Sequence, residues 1–80
     1  MRLDKYLKVS RLIKRRTVAN EACDGGRVSV NGKIARASYD VKVGDVITIQ
    51  FGAKPVSVRV LEVKETAYKD DAKTMYEAVE

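Results

Sequence analysis

The sequence predicts an α+β domain in which two N-terminal helices pack on one side of a small, twisted antiparallel sheet. Up to residue 24, apolar residues recur with a helical period of about 3.6. From residue 27 the period changes to two, which is typical of strands with one buried face. Helices followed by a run of short strands indicate an α+β arrangement rather than alternating βαβ units.

The first predicted helix covers residues 3–10, and the second runs from about Arg15 to Asp24. The buried face of the first follows the i, i+3, i+4, i+7 pattern and consists of Leu3, Tyr6, Leu7 and Ser10. The apolar side of the second consists of Val18, Ala19, Ala22 and Cys23. Gly25-Gly26 ends the second helix, because glycine readily adopts the left-handed conformation found there. Between the helices, Leu12 and Ile13 are expected to fix a basic connection to the core.

A hairpin is predicted next, with strands over residues 27–30 and 33–35. The Asn31-Gly32 pair between them favours a type I′ turn, in which both central residues have positive φ. Val43-Gly44-Asp45 predicts a further turn.

The last predicted strands form an antiparallel pair. Residues 46–51 form one strand, with Ile47, Ile49 and Phe51 on the same face. Gly52 to Pro55 interrupts the pattern before a partner strand that continues to about Val63. The tail from Lys69 to Glu80 is compatible with a short helix or turn.

Length and composition favour a single binding domain over residues 1–80. The chain contains no His and one Cys. It therefore lacks the commonest general base and metal ligand, and it cannot form an internal disulfide or a zinc site from paired thiolates. We expect no catalytic residues, no cofactor and no metal. Because there is no signal-peptide run and no apolar stretch long enough to cross a bilayer, we expect a cytoplasmic protein without a membrane partner.

The net charge of +5 is distributed unevenly. Residues 1–36 contain ten basic and three acidic residues, a net charge of +7, whereas residues 37–80 carry a net charge of −2. Such asymmetry is typical of a nucleic-acid-binding surface, although solvated charges alone would also give a basic half. The candidate RNA-binding residues are Arg2, Lys5, Lys8, Arg11, Lys14, Arg15, Arg16, Arg27, Asn31 and Lys33.

Structured RNA matches this surface better than DNA does. A helix that reads the DNA major groove needs side chains directed at base edges, but the polar positions of the second helix are Asn20, Glu21 and Asp24, and two of these are acids. Phe51 is the single Phe, so there is no row of aromatic residues for stacking a single strand. A basic docking module for DNA or an acidic protein remains an alternative. Catalysis is the least favoured function.

The order and spacing of several segments resemble the S4-type RNA-binding domain. The resemblance covers about residues 2–52, leaving a C-terminal strand and tail over 53–80. It implies the α+β S4-like fold (also called alpha-L) and RNA contacts from the helices and the hairpin. The segments that carry it are Arg2 to Leu7, Ser10 to Arg16, Ala19 to Lys33 and Val41 to Asp45.

Residues 8–17 and 71–77 are also similar to small stand-alone members of that family. These are a fifteen-kilodalton heat-shock ribosome-binding protein and, more similar still, the shorter RqcP family. The RqcP resemblance implies binding to rRNA and peptidyl-tRNA on obstructed large ribosomal subunits, in support of C-terminal alanine tailing by an RqcH-type factor. We also expect the protein to be a monomer. The heat-shock relative instead suggests a rescue factor for stalled large subunits.

Three other residues have simpler interpretations. Cys23 is expected to be a buried structural thiol. Tyr6 is expected to be a core residue with its hydroxyl near the surface, although stacking on a base is an alternative. Asp4 is expected to cap or acidify the first helical turn, or to pair with a nearby Arg.

Overall fold

A computed structural model describes residues 1–64 and 74–79 as two helices and a five-stranded antiparallel sheet. Helix α1 spans Leu3–Val9 and helix α2 spans Arg16–Asp24. The strands are β1 Val28–Val30, β2 Lys33–Ile34, β3 Val46–Phe51, β4 Lys54–Val60 and β5 Tyr76–Ala78. Their order in the sheet is β2-β1-β3-β4-β5. The predicted α+β class is confirmed.

The core lies between the two helices and the sheet. Leu3, Tyr6, Leu7 and Ser10 are at most 1% exposed, which confirms the predicted face of α1. Ala19 and Ala22 are buried where α2 contacts α1, as their small size suggested. The sheet contributes a layer of β-branched residues, namely Val28, Val30, Ile47, Ile49, Val58 and Val60.

The predicted turns are present where glycine permits them. After α2, the Arg27 N–H donates to the Ala22 carbonyl at 2.9 Å and the Gly26 N–H to the Cys23 carbonyl at 3.1 Å, with Gly26 at φ +80°. This pair of bonds is a Schellman motif. Asn31 and Gly32 have φ values of +53° and +85°, as a type I′ turn requires.

Two predicted core residues are exposed, and two helix boundaries differ by one residue. Helix α1 ends at Val9 rather than at residue 10, and α2 begins at Arg16 rather than at Arg15. Val18 is 46% exposed because it lies at the edge of the buried stripe of α2, which is formed by Ala19, Ala22 and Cys23. Phe51 is 43% exposed, at the end of β3. Arg15 is extended rather than helical and occupies the N-cap position.

The β3–β4 connection is tighter than the sequence predicts. Phe51 pairs directly with Lys54, so the turn consists of Gly52 and Ala53, with Gly52 at φ +57°. Pro55 therefore lies within β4 rather than in a break. At its other end β4 stops at Val60 instead of near Val63.

The helix or turn predicted for the tail is wrong at residues 76–78, which form strand β5. Residues 69–73 and 80 of the same prediction lie outside the described residues. Strand β5 pairs antiparallel with β4 through Val58–Ala78, Arg59–Glu77 and Val60–Tyr76. The pairing supplies partners to the outer edge of β4, a contact that no local pattern in the tail encodes.

Burial decides the chemistry of Cys23 and Tyr6. Cys23 is 1% exposed, and burial, reinforced by the charges of Asp4 and Asp24, raises the pKa of its thiol to about 11. The expected structural role of Cys23 is consistent with this burial.

The expected surface position of the Tyr6 hydroxyl is wrong, because the hydroxyl is buried and donates to the Met75 carbonyl at 2.7 Å. Burial likewise raises the pKa of Tyr6, and its ring cannot stack on a base in this fold.

We expect Tyr6→Phe to lower the free energy of unfolding by about 0.5–1.5 kcal/mol, because one buried hydrogen bond is lost. The Met75 carbonyl still accepts from the N–H groups of Leu61 and Glu62, so the fold should survive with a looser β5. Urea unfolding and amide hydrogen exchange of Leu61 and Glu62 measure the two effects. Tyr76→Phe, at a half-buried tyrosine in β5, is the control. Unchanged exchange at these amides would contradict the assignment.

Candidate nucleic-acid interface

The interface is organised around Asp4, a carboxylate in the first turn of α1 that is 2% exposed. A buried charge is costly unless it is paired and hydrogen-bonded. Arg2 donates from Nε to Oδ1 at 3.1 Å and from Nη2 to Oδ2 at 3.3 Å. Arg16 Nε and Asn20 Nδ2 donate to Oδ2 at 3.4 and 3.2 Å, and the Lys5 N–H donates to Oδ1 at 2.8 Å. Arg2, Asp4, Arg16 and Asn20 form what we call the Asp4 cluster, which ties the start of α1 to α2.

The two arginines of the Asp4 cluster remain accessible although they are paired. Their side chains are 51% exposed for Arg2 and 48% for Arg16, whereas that of Asp4 is 3% exposed. The negative charge is therefore buried beneath two half-exposed positive charges. Two of the roles expected for Asp4 are confirmed, since it is the acid of the first turn of α1 and it pairs with arginine. The capping role is wrong, because the N-cap residue of α1 is Arg2.

The ionisation of Asp4 reflects two opposing effects. Burial by itself raises the pKa of the carboxyl. Hydrogen bonds from Arg2, Asn20, Arg16 and the Lys5 N–H stabilise the charged form and outweigh burial, so the pKa is lowered overall. The carboxylate thus stays charged at neutral pH and holds both guanidinium groups.

An open recess of about 370 Å³ lies beside the Asp4 cluster. Its lining consists of Asp4, Arg16, Thr17, Asn20 and Glu21. Because Arg16 and Asn20 are one turn apart, they lie on the same face of α2 and can both reach Asp4.

The connection between the helices presents further cations. The buried Ile13 fixes it to the core, and the Ile13 N–H donates to the Leu7 carbonyl at 3.0 Å. Arg11 adopts the left-handed conformation, with φ +64°, which turns the chain sharply after α1. As a result Arg11, Lys14 and Arg15 are exposed.

The N-terminus of α2 adds backbone donors to this surface. The N-cap residue is Arg15, and its side chain has no acceptor atom that could bind the first N–H groups of the helix. The first turn contains Arg16 and Thr17 and no acid, and Arg15, Arg16 and Thr17 are all exposed. Free N–H groups, the helix dipole and two arginines together favour an anion here.

The β1–β2 hairpin contributes two exposed cations and one amide that is already in use. Arg27 and Lys33 are exposed. The Asn31 side chain donates to Asp45 Oδ1 at 3.1 Å and accepts from the Val46 N–H at 3.0 Å. These bonds fasten the hairpin to the start of β3, so Asn31 has a structural role, and its RNA contact stays a prediction.

The structure thus brings the candidate residues together in part. Arg2 and Arg16 meet at Asp4, whereas Lys14 and Arg27 line a second recess between α2 and β3. Lys8 is exposed on α1, and Lys5 is half-buried. Among the described residues of the C-terminal half, Arg59 pairs with Glu77 at 3.6 Å and Lys64 pairs with Glu62 at 3.0 Å.

The sequence reasoning missed two residues. In the sequence analysis, Asn20 is treated only as a weak base-reading position. Its spacing of four residues from Arg16, however, indicates that the two side chains share one face of the helix. Arg36 is an exposed cation of the basic half that was not among the candidates.

Within residues 1–64 and 74–79, no cluster of three His, Cys, Asp or Glu side chains could hold a metal ion. In the same residues, neither helix has the length and apolar character needed to cross a membrane.

We expect Asp4→Asn to lower the free energy of unfolding by about 1–3 kcal/mol at neutral pH, because several partly buried hydrogen bonds lose their charged acceptor. The folded-state pKa of Asp4 is lowered, so this advantage of the wild type is present above about pH 4 and is lost as the pH falls through the folded-state pKa. Urea unfolding of both proteins at neutral pH and near pH 2 should show a difference that closes in acid. Glu21→Gln, at an exposed acid of the same recess, is the control with little expected effect. An undiminished difference in acid would contradict the assigned role of the charge.

Comparison with known proteins places the chain in a family. A family model described as the S4 domain matches residues 1–47. The RQC P-site tRNA stabilizing factor of Bacillus subtilis is 60% identical over 76 residues, which cover 95% of this chain and 88% of the relative. The protein of the same name from Streptococcus pneumoniae is 58% identical over 79 residues, covering 99% of this chain and 90% of the relative.

A solved structure shows the same fold. The trimeric structure of Vibrio cholerae Heat Shock Protein 15 superposes with a TM-score of 0.91 at 29% identity, covering 99% of this chain and 81% of that chain. The expected S4-like fold is therefore confirmed, together with the resemblance to both small stand-alone groups. The chain belongs to the S4-domain family and, within it, to the family of RQC P-site tRNA stabilizing factors.

Proposed function

We propose that this protein is a non-catalytic, cytoplasmic RNA-binding factor of ribosome-associated quality control, which binds rRNA and peptidyl-tRNA on obstructed large ribosomal subunits. The observation that carries the proposal is the Asp4 cluster, which holds two half-exposed arginines on a rigid helix pair. The names of the relatives, RQC P-site tRNA stabilizing factor, indicate tRNA and ribosome association for those proteins and support the same role here.

The proposed mechanism is recognition of RNA shape through its phosphates. Guanidinium groups that Asp4 already orients lose less side-chain entropy when they bind, and each planar group can hold two phosphate oxygens. The N-terminus of α2 would accept a further phosphate. Contacts of this kind need no base sequence and suit A-form RNA, whose deep major groove excludes side chains.

The acids of α2 support RNA over DNA. Glu21 and Asp24 are exposed on the helix that would have to enter a major groove. Asp24 is also fixed by a structural bond, because its Oδ1 accepts from the Ala37 N–H at 3.0 Å. Carboxylates so placed would repel the phosphates that line a groove.

The proposal extends to a protein partner. An RqcH-type factor would add C-terminal alanine tails while this protein, acting as a monomer, holds the P-site tRNA in place. In the sequence, residues 37–80 carry a net charge of −2 against +7 for residues 1–36, which makes the C-terminal half better suited to a protein partner than to RNA.

A heat-shock-type rescue factor for stalled large subunits is the second candidate, and the 0.91 TM-score to Heat Shock Protein 15 favours it. The rescue factor is the weaker candidate, because the chain is 58–60% identical to the quality-control relatives and 29% identical to the Heat Shock Protein 15 structure. The measurements below distinguish binding to ribosomal RNA from docking on DNA or on an acidic protein.

We expect RNA binding to weaken steeply with salt. Contact with about five to seven phosphates predicts a slope of about −4 to −6 in a plot of log association constant against log salt concentration. Filter binding to rRNA fragments over a series of KCl concentrations measures it. DNA duplexes of equal length are the competitor control. A flat salt response, or equal affinity for DNA, would contradict the proposal.

We expect the double variant Arg15→Gln, Arg16→Gln to lose ribosome association and to show a salt slope shallower by about two. Glutamine removes the charges without placing a new carboxylate beside Asp4. Pull-down of the tagged protein from cells, followed by sequencing of the recovered RNA, measures the loss of large-subunit rRNA and tRNA. The matched control Lys42→Gln, Lys54→Gln removes two exposed cations of the C-terminal half and should retain both RNAs. Equal recovery with the two double variants would overturn the assignment.

A further inference from the structure

An apolar groove lies on the side of α2 opposite the Asp4 cluster. It has a volume of about 260 Å³ and runs between the α1–α2 connection, α2 and the end of β3. Its floor includes the buried residues Ile13 and Ile49. Val18 from α2 and Phe51 from β3 form its sides and are 46% and 43% exposed.

The exposure of Val18 and Phe51 calls for an explanation. Single exposed apolar side chains are ordinary, but apolar side chains that share one concave surface mark a binding site. Here the two residues come from different elements and line the same groove, together with the half-buried Leu12. In a domain this small, leaving them in water forgoes stabilisation that burial would provide.

The rim of the groove indicates the charge of its occupant. Lys14 and Arg27 line it, both exposed, and no carboxylate does so within the described residues. Gln50 also lines it and donates from Nε2 to the Gly52 carbonyl at 3.2 Å, which orients an amide beside the groove. The groove therefore suits a flat apolar ring that carries polar edges and an adjoining negative charge.

We infer that the groove holds a single unstacked nucleotide of the bound RNA, with its base against Phe51 and its phosphate between Lys14 and Arg27. The inference rests on the proposed function and adds a defined site for one base. An open groove of about 260 Å³ has room for one nucleobase. It also continues the proposed phosphate surface, since Lys14 directly precedes Arg15 and Arg16. One aromatic residue is enough for one base, although it does not form a stacking platform.

The test uses two RNA hairpins with the same stem, one continuous and one with a single bulged 2-aminopurine nucleotide. Stacking of one base on an aromatic side chain predicts that the wild type binds the bulged hairpin about 5- to 150-fold more tightly. Stacking should also quench the 2-aminopurine fluorescence. Phe51→Leu keeps an apolar side chain but loses the aromatic face, and it should lose most of the preference and the quenching. Its affinity for the continuous hairpin and its salt slope should stay at wild-type values.

Val43→Ala is the matched control, because Val43 is 65% exposed and lies outside the groove. Circular dichroism and thermal unfolding establish that both variants fold. The inference is overturned if the wild type binds both hairpins equally, or if Phe51→Leu keeps the preference and the quenching; occupation of the groove by an acidic peptide would give such a result. Failure of the wild type to bind either hairpin would instead overturn the proposed function, and the inference with it.

Discussion

The proposed RNA-binding surface depends on one buried carboxylate. Asp4 joins Arg2, which precedes α1, to Arg16 and Asn20 of α2, and it does so from a position with almost no solvent contact. Two arginines at the meeting point of two helices would otherwise repel each other and sample many rotamers. The single negative charge beneath them removes the repulsion, fixes their direction and leaves a net positive surface. In the proposed function, affinity for phosphate would therefore depend on this internal order as much as on the number of cations.

The rest of the fold keeps that meeting point in place. Small side chains at Ala19 and Ala22 allow α2 to approach α1 closely, and the buried Ile13 holds the connection between them. The sheet supports both helices from below and receives its last strand through the Tyr6–Met75 hydrogen bond. Tyr6 therefore links helix α1 to the segment that leads into β5.

Local signals in the sequence were sufficient for much of this architecture. The face of α1 follows from a helical period, and the hairpin follows from Asn31-Gly32, because both depend on neighbouring residues only. Strand β5 could not be predicted in the same way, since residues 76–78 are strand only because β4 offers them an edge. The exposure of Phe51 could not be predicted for the same reason. The alternating pattern of its strand predicts a buried side chain, but its actual exposure depends on how far the helices cover that end of the sheet. Asn20 belongs to the Asp4 cluster through contacts that span the chain from residue 4 to residue 20.

Helix α2 separates two recesses of different chemistry, and this arrangement bears on how a small surface could recognise folded RNA. On one side, Arg16 and Asn20 face the polar recess at Asp4. On the other side, Val18 borders the apolar groove that Phe51 closes. Phosphates alone cannot distinguish one regular RNA helix from another, because every A-form duplex presents the same charges. A site for one unstacked base beside a phosphate-binding surface would distinguish RNA that has an irregularity at the right distance, so selectivity would arise from the spacing of the two recesses across α2.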